Sequence, residues 1–322
     1  MRELKVAILM DSIEKLNSKK DTTFAMMLEA KRRGYKIFVF NTYDIYIENE
    51  IVFANTKEVD VFDDTNNWYQ YKSDKKSHKA NYFDVIIMRK DPPFNINYIY
   101  ATYLLELAQN QGVLVVNNPK SLRDANEKIF TLQFSQCITD TIVSANINSL
   151  KTFATKHKNT VAKPLGAMGG VNVFKVDNND KNISVILENL TKLETTPIIM
   201  QRFIPEIEFT GDKRILLING EPIPYAYSRK AKKGEFRANL ATGAIGEGVE
   251  LTKRDFWLCE QIAPKLIEME LLFVGIDVIG DYITEINVTS PTCVRELDKI
   301  YNLNIAAIFF EVILEKITKT CK

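Results

Sequence analysis

An apolar run, a helical stretch and a second apolar run open this chain, and that order leaves few folds available. Lys5-Val-Ala-Ile-Leu-Met10 places five apolar residues in a row and stops at Asp11-Ser12, the pattern of a buried strand. Residues 21–33 read as a helix. Asp21 is placed to cap its N-terminus, Phe24, Met27 and Leu28 make an apolar stripe, and Gly34 sits where a C′ glycine belongs. Tyr35–Phe40 supplies the next strand. A strand–helix–strand order points to a parallel sheet with crossover helices. The theme returns at Asp84–Met88, Ile99–Asn110 and Val113–Asn117, so residues 1–122 are expected to form an N-terminal α/β domain.

The middle of the chain changes character. Thr160–Lys163, Val171–Val176, Pro197–Phe203 and Arg214–Ile218 read as short strands with glycine turns, interrupted by a helical stretch at Ile183–Leu193. This is a mixed α+β pattern. Residues 228–248 are polar, carry glycines at 234, 243, 246 and 248, and read as a loop long enough to serve as a lid. A helix at Arg254–Glu270, strands around Ile276 and Ile283 and a helix at Asn304–Lys319 complete the chain.

Composition removes several classes of function. Among 322 residues, 42 basic side chains face 41 acidic ones, a net charge of +1, which excludes a broad electrostatic footprint for nucleic acid or an anionic membrane. No apolar stretch reaches the roughly 18 residues of a bilayer span, and the N-terminus lacks a signal-peptide pattern. Cys137, Cys259, Cys293 and Cys321 are too widely spaced for a zinc knuckle or a CxxC pair, so reduced thiols in a cytoplasm are expected.

Three clusters carry chemistry. In Lys163-Pro-Leu-Gly166-Ala-Met-Gly169-Gly170, three glycines within five residues let backbone N–H groups approach an anion. Strands flank it on both sides, which excludes a Rossmann turn or P-loop and suits a flap over a triphosphate, with Lys163 on a phosphate. A plain glycine-rich hairpin with a surface lysine is the alternative. In the second cluster, Asp277, Glu285 and Asn287 interrupt two apolar strands, where acidic groups are costly unless something compensates them. Bound Mg²⁺ would, since it takes oxygen ligands and substrate phosphates; exposed polar positions on a half-solvated sheet are the alternative. Glu285 and Asn287 share a strand face. Asp277 joins them if Gly280-Asp281-Tyr282 is the loop, and faces away if Gly280-Asp281 alone makes the turn. Arg214, Arg229, Arg237 and Arg295, with Lys128, form a basic set suited to carboxylates and phosphates, although any one alone reads as a solvated charge. His78 and His157 lie in lysine-rich stretches and read as surface, and no serine sits in a nucleophile elbow.

With Met88-Arg-Lys-Asp-Pro-Pro-Phe94, Ser121-Leu-Arg-Asp-Ala-Asn-Glu-Lys128, Gly211-Asp-Lys-Arg214 and Ile283-Thr-Glu-Ile-Asn-Val-Thr-Ser-Pro-Thr-Cys293 added, the chain resembles the bacterial glutathione synthetases of the ATP-grasp superfamily over nearly its whole length. The resemblance implies an α/β ATP-grasp fold. Residues 1–122 would be followed by a central lobe at 123–202 with the glycine flap, and by a C-terminal lobe at 203–322 with the metal site and lid 228–248. It implies that Lys128, Lys163, Gly169 and Gly170 contact the nucleotide, that Arg202, Phe203 and Ile204 form the adenine hinge, and that Asp212 meets the ribose. Arg214, Arg229 and Arg237 would act on the reacting groups, and Arg89, Asn239, Ser290 and Arg295 would surround the substrates. Asp277, Glu285 and Asn287 would hold Mg²⁺, with Mn²⁺ able to replace it. ATP, γ-glutamylcysteine and glycine are the implied substrates, and a cytoplasmic homotetramer the implied assembly. The lid would close over an acyl phosphate, so that its excision spares ATP binding and raises unproductive hydrolysis. Another carboxylate–amine ligase, or a catalytically silent nucleotide-binding protein, is the alternative. Gly166 stands where the resemblance leads to an acidic residue, Ala238 and Ala244 where it leads to glycines, and Ile245 where it leads to an arginine.

Overall fold

The computed structural model describes residues 3–231 and 245–320. Its first sheet grows from the apolar run at the N-terminus. Strand β1 (Lys5–Leu9) leads into α1 (Thr22–Arg32), whose first turn is capped by the Asp21 carboxylate accepting from the Phe24 N–H at 2.9 Å. Gly34 follows with φ of 75°, the left-handed conformation that ends a helix without a Cβ penalty. The chain returns as β2 (Lys36–Phe40), parallel to β1.

Strands β3 (Ile45–Glu48), β4 (Ile51–Val61), β5 (Tyr69–Tyr71) and β6 (Lys76–Lys79) then extend the sheet antiparallel. Sequence reading did not anticipate them. Strands β5 and β6 are short and polar (Tyr-Gln-Tyr and Lys-Ser-His-Lys), as suits edge strands, and carry no apolar run to announce them. Strands β7 (Val85–Met88) and β8 (Leu114–Val116) add to the other side in parallel, with α2 (Ile96–Asn110) between them and α3 (Pro119–Asp124) after. The sheet order is β3-β4-β2-β1-β7-β8, with β5 and β6 both on β4.

The second sheet is antiparallel, in the order β11-β10-β12-β9. It comprises β9 (Thr141–Ser144), β10 (Asn159–Pro164), β11 (Phe174–Asp177) and β12 (Ile198–Arg202), covered by α4 (Ile147–His157) and α5 (Ile183–Leu190). Its small core is its own and includes Leu150, Ala162, Leu187 and Met200. The third sheet, also antiparallel, runs β15-β14-β13-β16-β17. Its strands are β13 (Asp212–Ile218), β14 (Glu221–Lys230), β15 (Ile245–Glu250), β16 (Phe273–Ile279) and β17 (Tyr282–Asn287). Helix α6 (Lys253–Glu268) starts with a capping box between Thr252 and Asp255, and α7 (Val294–Tyr301) and α8 (Ile305–Thr320) end the described chain.

The first and third sheets share their cores. Val6, Ile8 and Phe24 pack with Leu216, Ile218, Phe309 and Phe310, while Ala7 and Leu9 belong with Leu217, Val274 and Leu258. Asn117 locks the junction. Its amide donates to the carbonyls of Phe273 and Val288, both at 2.8 Å, and its oxygen accepts from the Phe273 N–H at 2.8 Å.

The segment read as a long loop is shorter than its polarity suggests. Ser228–Lys230 end β14, and residues 245–248 open β15 opposite them. Gly246 is not there for flexibility: a Cβ at that position would lie 2.2 Å from the Tyr227 ring. Arg237, Asn239, Ala238 and Ala244, with most of the expected lid, lie outside the described residues. His78 and His157, read as surface residues, are half-buried. His78 stacks on Tyr82 with centroids 4.5 Å apart, and His157 lies 4.3 Å from the Phe153 ring, since both rings gain apolar contact there. Cys137, Cys259 and Cys293 are buried free thiols; Cys321 is outside the described residues. Among the described residues no helix is long and apolar enough to cross a membrane.

Candidate active site

The site is built on the face of the third sheet that meets the second. Asp212 and Arg214, two apart on β13, share one strand face. Asp212 lies opposite Arg229 on β14, and Arg214 opposite Asp277 on β16. Asp277 in turn lies opposite Glu285 on β17, and Gly275 opposite Asn287. The turn joining β16 and β17 is the two-residue Gly280-Asp281, with Ile279 facing Tyr282 and Val278 facing Ile283. That turn alone would send Asp277 to the other face. A bulge at Thr284 restores it, inserting one residue between the Ile283 and Glu285 pairings, and the Thr284 hydroxyl donates to the Asp277 carbonyl at 3.2 Å.

The charges on this face are buried and matched. Arg214 grips Asp277 with two donors, Nε to Oδ1 at 2.5 Å and a terminal nitrogen to Oδ2 at 2.9 Å. Arg229 reaches Asp212 Oδ2 at 2.6 Å and Asp277 Oδ1 at 2.9 Å. Gly275 makes room for this, since a Cβ there would lie 2.9 Å from Arg214 Cδ. Arg214 and Arg229 are 7% and 5% exposed, so the reading of either as a solvated surface charge does not hold. Burial alone would raise the Asp277 carboxyl; the two arginines outweigh it and hold it well below the usual carboxylate range. Asp212 differs. Burial pushes it up to about 7 against the pull of Arg229, and among the described residues its buried Oδ1 has no partner.

Facing this sheet, β10 delivers Lys163 and the segment before the second sheet delivers Lys128. Both ammonium groups are buried near Glu285 Oε1, at 3.9 and 3.6 Å. Lys128 also donates to the Ala167 carbonyl at 2.8 Å and forms a very short pair with Glu127. Burial pushes Lys163 below the ordinary lysine value, only partly offset by Glu285. For Lys128 burial acts the same way, but Glu285 and Glu127 outweigh it and the net direction is upward. The flap after β10 turns at Gly169 and Gly170, with φ of 65° and 79°, and the strand that follows it begins only at Phe174. Gly166 has open space around it, so a side chain fits there.

Two cavities meet at this face. One, of about 830 Å³, lies between the sheets and is lined by Lys128, Lys163, the flap glycines, Arg202-Phe203-Ile204, Asp212, Asp277 and Glu285. The other, of about 800 Å³, is lined by Arg214, Arg229, Asn287, Asp91 and residues 289–292. Gly169, Asp277 and Glu285 belong to both. The first has an apolar end at Val161, Ile204 and Ile207 and a cationic end at the lysines, the polarity a nucleotide requires.

The residues expected to hold a metal, Asp277, Glu285 and Asn287, are two carboxylates and an amide rather than a cage. Among the described residues no group of three or more His, Cys, Asp or Glu is placed for an ion. Both lone pairs of Asp277 Oδ1 are taken by arginine, whereas Oδ2 has one 2.9 Å bond and a loose 3.5 Å approach from Asn287. Among the described residues the Glu285 carboxylate is approached by the Lys128 and Lys163 ammonium groups, at 3.6 and 3.9 Å. Hard oxygen donors left with spare capacity beside a phosphate-sized cleft fit Mg²⁺, which binds through one or two carboxylates and substrate phosphates.

The chain matches the prokaryotic glutathione synthetase N-terminal domain over residues 4–123 and the prokaryotic glutathione synthetase ATP-grasp domain over residues 127–302. It is 48% identical over 317 residues to the glutathione synthetase of Coxiella burnetii, covering 98% of each chain. With that of Buchnera aphidicola from Acyrthosiphon pisum it shares 47% over 314 residues, again 98% of each. The chain belongs to the prokaryotic glutathione synthetase family. Its fold is the ATP-grasp. The D-cycloserine synthetase DcsG superposes with a TM-score of 0.67 at 11% identity, covering 96% of this chain and 99% of that one. The ATP-grasp ligase PsnB, complexed with a phosphomimetic precursor variant, Mg and ADP, gives 0.63 at 14%, covering 98% and 100%. Like its glutathione synthetase relatives, the chain is an ATP-dependent ligase.

Not every residue singled out for a glutathione synthetase site reaches the cavities. Ser290 does, donating to Asp91 Oδ1 at 2.6 Å. Arg89 is buried behind the wall, with Nε on Thr23 Oγ1 at 3.1 Å and a terminal nitrogen on the Pro291 carbonyl at 3.0 Å. It braces the 289–292 loop rather than lining the chamber. Arg295 points elsewhere altogether: it pairs with Asp63 at 2.7 Å and lies over the Phe24 ring, on a separate cavity. As the second residue of α7 it is turned away from the chamber by the start of that helix, a direction that residue type alone does not reveal. Sequence reasoning missed Glu127, Thr284 and Asp91. Glu127 adjoins Lys128 and Asp91 lies two residues after Arg89, both already singled out, and that proximity was the available signal.

Proposed function

We propose that this glutathione synthetase family member joins the C-terminal carboxylate of γ-glutamylcysteine to the amine of glycine, using ATP. The observation that carries the reading is the meeting of a nucleotide-shaped cleft and a second, arginine-walled chamber at Asp277 and Glu285. Residues 1–122, 123–202 and 203–322 serve as N-terminal, central and C-terminal lobes. ATP lies between the last two, its adenine against Arg202-Phe203-Ile204, its ribose toward Asp212 and its phosphates under Gly169 and Gly170, with Lys128 and Lys163 as counter-charges. The unpartnered Asp212 oxygen supports the ribose assignment, because a hydroxyl would satisfy it.

The dipeptide carboxylate attacks the γ-phosphorus, forming a C–O–P bond as ADP leaves. Glycine's uncharged amine then attacks the acyl carbon, phosphate departs, and the amine proton goes to solvent. Arg214 and Arg229 stand where the acyl phosphate's negative oxygens collect, already oriented by Asp277 and Asp212, so little reorganisation accompanies the reaction. Asp277, Glu285 and Asn287 would hold Mg²⁺ or Mn²⁺, which when bound neutralises charge on the transferring phosphoryl group. No protein nucleophile is needed. Assembly as a homotetramer in a cytoplasm belongs to the same proposal.

The test is phosphate release from ATP by the purified protein. It is expected to require both γ-glutamylcysteine and glycine and to match glutathione formed one to one. Release that ignores either substrate counts against the reading.

A further inference from the structure

We propose that Asp91 recognises the α-ammonium group at the glutamyl end of the dipeptide, an assignment that rests on the reaction above. Asp91, like Ser290 and Thr292, lines only the second chamber, whereas Asp277 and Glu285 line both cavities. The dipeptide's reacting carboxylate has to face the nucleotide at the shared wall. Its other end, carrying an ammonium and a carboxylate, therefore extends toward the part of the chamber remote from the phosphates.

An ammonium needs a carboxylate, and the acidic side chains of this chamber are not equally free. Asp277 is gripped by two arginines, Glu127 is paired to Lys128, and Glu285 faces both lysines. Among the described residues Asp91 has no ion-pair partner. Its Oδ1 accepts the Ser290 hydroxyl at 2.6 Å, and among the described residues Oδ2 accepts no hydrogen bond. Of the neighbouring cations, Lys90 is held by Asp11 and the Asp91 backbone carbonyl. Arg89 donates to Thr23 and Pro291, has one buried terminal nitrogen with no partner among the described residues, and acts on Asp91 through its field without an ion-pair contact. The Asp91 N–H is fixed on Asp11 at 3.2 Å, so the carboxylate is held from both its backbone and its side chain. That is the preorganisation a recognition residue requires. Glycine is the less suitable owner of this contact, since its amine must arrive uncharged at the phosphate end.

The experiment compares γ-glutamylcysteine with glutaryl-cysteine, the same molecule without its α-amino group, as substrates for the full-length wild type and for D91N, at saturating ATP and glycine. The wild type is expected to favour the amino-bearing dipeptide by about 10- to 100-fold in kcat/KM, the worth of one charge-assisted hydrogen bond. In D91N that preference collapses toward unity through KM for γ-glutamylcysteine, while glutaryl-cysteine and the KM for ATP are unchanged. Ser290→Ala, which frees the carboxylate without removing it, is expected to lower the preference by a few-fold and covers a poorly folding D91N. A wild type that makes glutathione alongside variants that keep the full preference overturns the role of Asp91 alone. A wild type that makes no glutathione overturns the reaction and the assignment together.

Discussion

Replacing Asp277 with asparagine is expected to unfold the protein more readily by about 3–5 kcal/mol, the range for removing one member of a buried ion pair. The figure follows from what the carboxylate holds. It accepts three charged hydrogen bonds, two from Arg214 and one from Arg229. An asparagine keeps a single acceptor oxygen and turns an amide donor toward a guanidinium. Arg229 would retain Asp212 at 2.6 Å, whereas Arg214 would keep only the Thr292 hydroxyl at 3.5 Å. Arg214 is therefore left as a buried cation without a counter-charge, and that accounts for most of the loss.

Urea unfolding of wild type and variant without nucleotide measures it. Arg214→Met in the Asp277→Asn background is expected to recover about 2 kcal/mol, because the unmatched charge leaves with its partner. Activity should not return, since the site needs both groups. The chemical and structural roles of Asp277 are thereby separated. A loss below about 1 kcal/mol, the scale of solvated pairs, or a double variant no more stable than the single one, would refute the reasoning.

Three further outcomes are expected. Glu285→Gln should abolish turnover while leaving the fold intact, because among the described residues its carboxylate makes no contact closer than the 3.6 Å approach of Lys128; near-normal phosphate release would remove it from the proposed metal set. Asn117→Ala should cost about 2–4 kcal/mol in urea unfolding, since it strands the Phe273 N–H and two carbonyls, each bond being worth about 1 kcal/mol; an unchanged midpoint would mean that water replaces the amide. Burial raises the Asp298 carboxyl to about 6 against the Ile305 N–H bond, so its folded value exceeds the unfolded one. Its stabilising contribution is therefore complete below about pH 4 and lost as pH rises through 6. Asp298→Asn should remove that slope, which partial exposure limits to about 1 kcal/mol, and equal slopes in both proteins would contradict it.

How much of this was legible beforehand depended on whether a signal was local. The apolar run Lys5–Leu9, the Asp21 cap and Gly34 each act within a few residues, and the first helix and its flanking strands follow from them. Strands β5 and β6 owe their existence to pairing with β4, some residues away, and a segment such as Lys-Ser-His-Lys bears no mark of it. The glycines of 246 and 248 misled for the opposite reason. Glycine chemistry is ambiguous between a free loop and a tight approach, and only the Tyr227 and Tyr301 rings beside these two positions decide for the latter. Arg295 shows the same limit in the site itself, because its direction is set by the start of α7 and not by its own chemistry.

The β16–β17 hairpin carries the point furthest. Strand alternation and turn length are both local rules, and applied together to Gly280-Asp281 they set Asp277 and Glu285 on opposite faces. The protein satisfies each rule and escapes their sum by placing one residue, Thr284, outside the ladder. Left unpaired, that residue finds a partner by turning its hydroxyl back to the Asp277 carbonyl. A shorter bulge-free hairpin would keep the turn and the apolar strands yet separate the two carboxylates by the thickness of the sheet. The bulge is therefore the feature on which the meeting of the two cavities depends, and it sits where bulges re-aim side chains in other sheets, beside the chemistry.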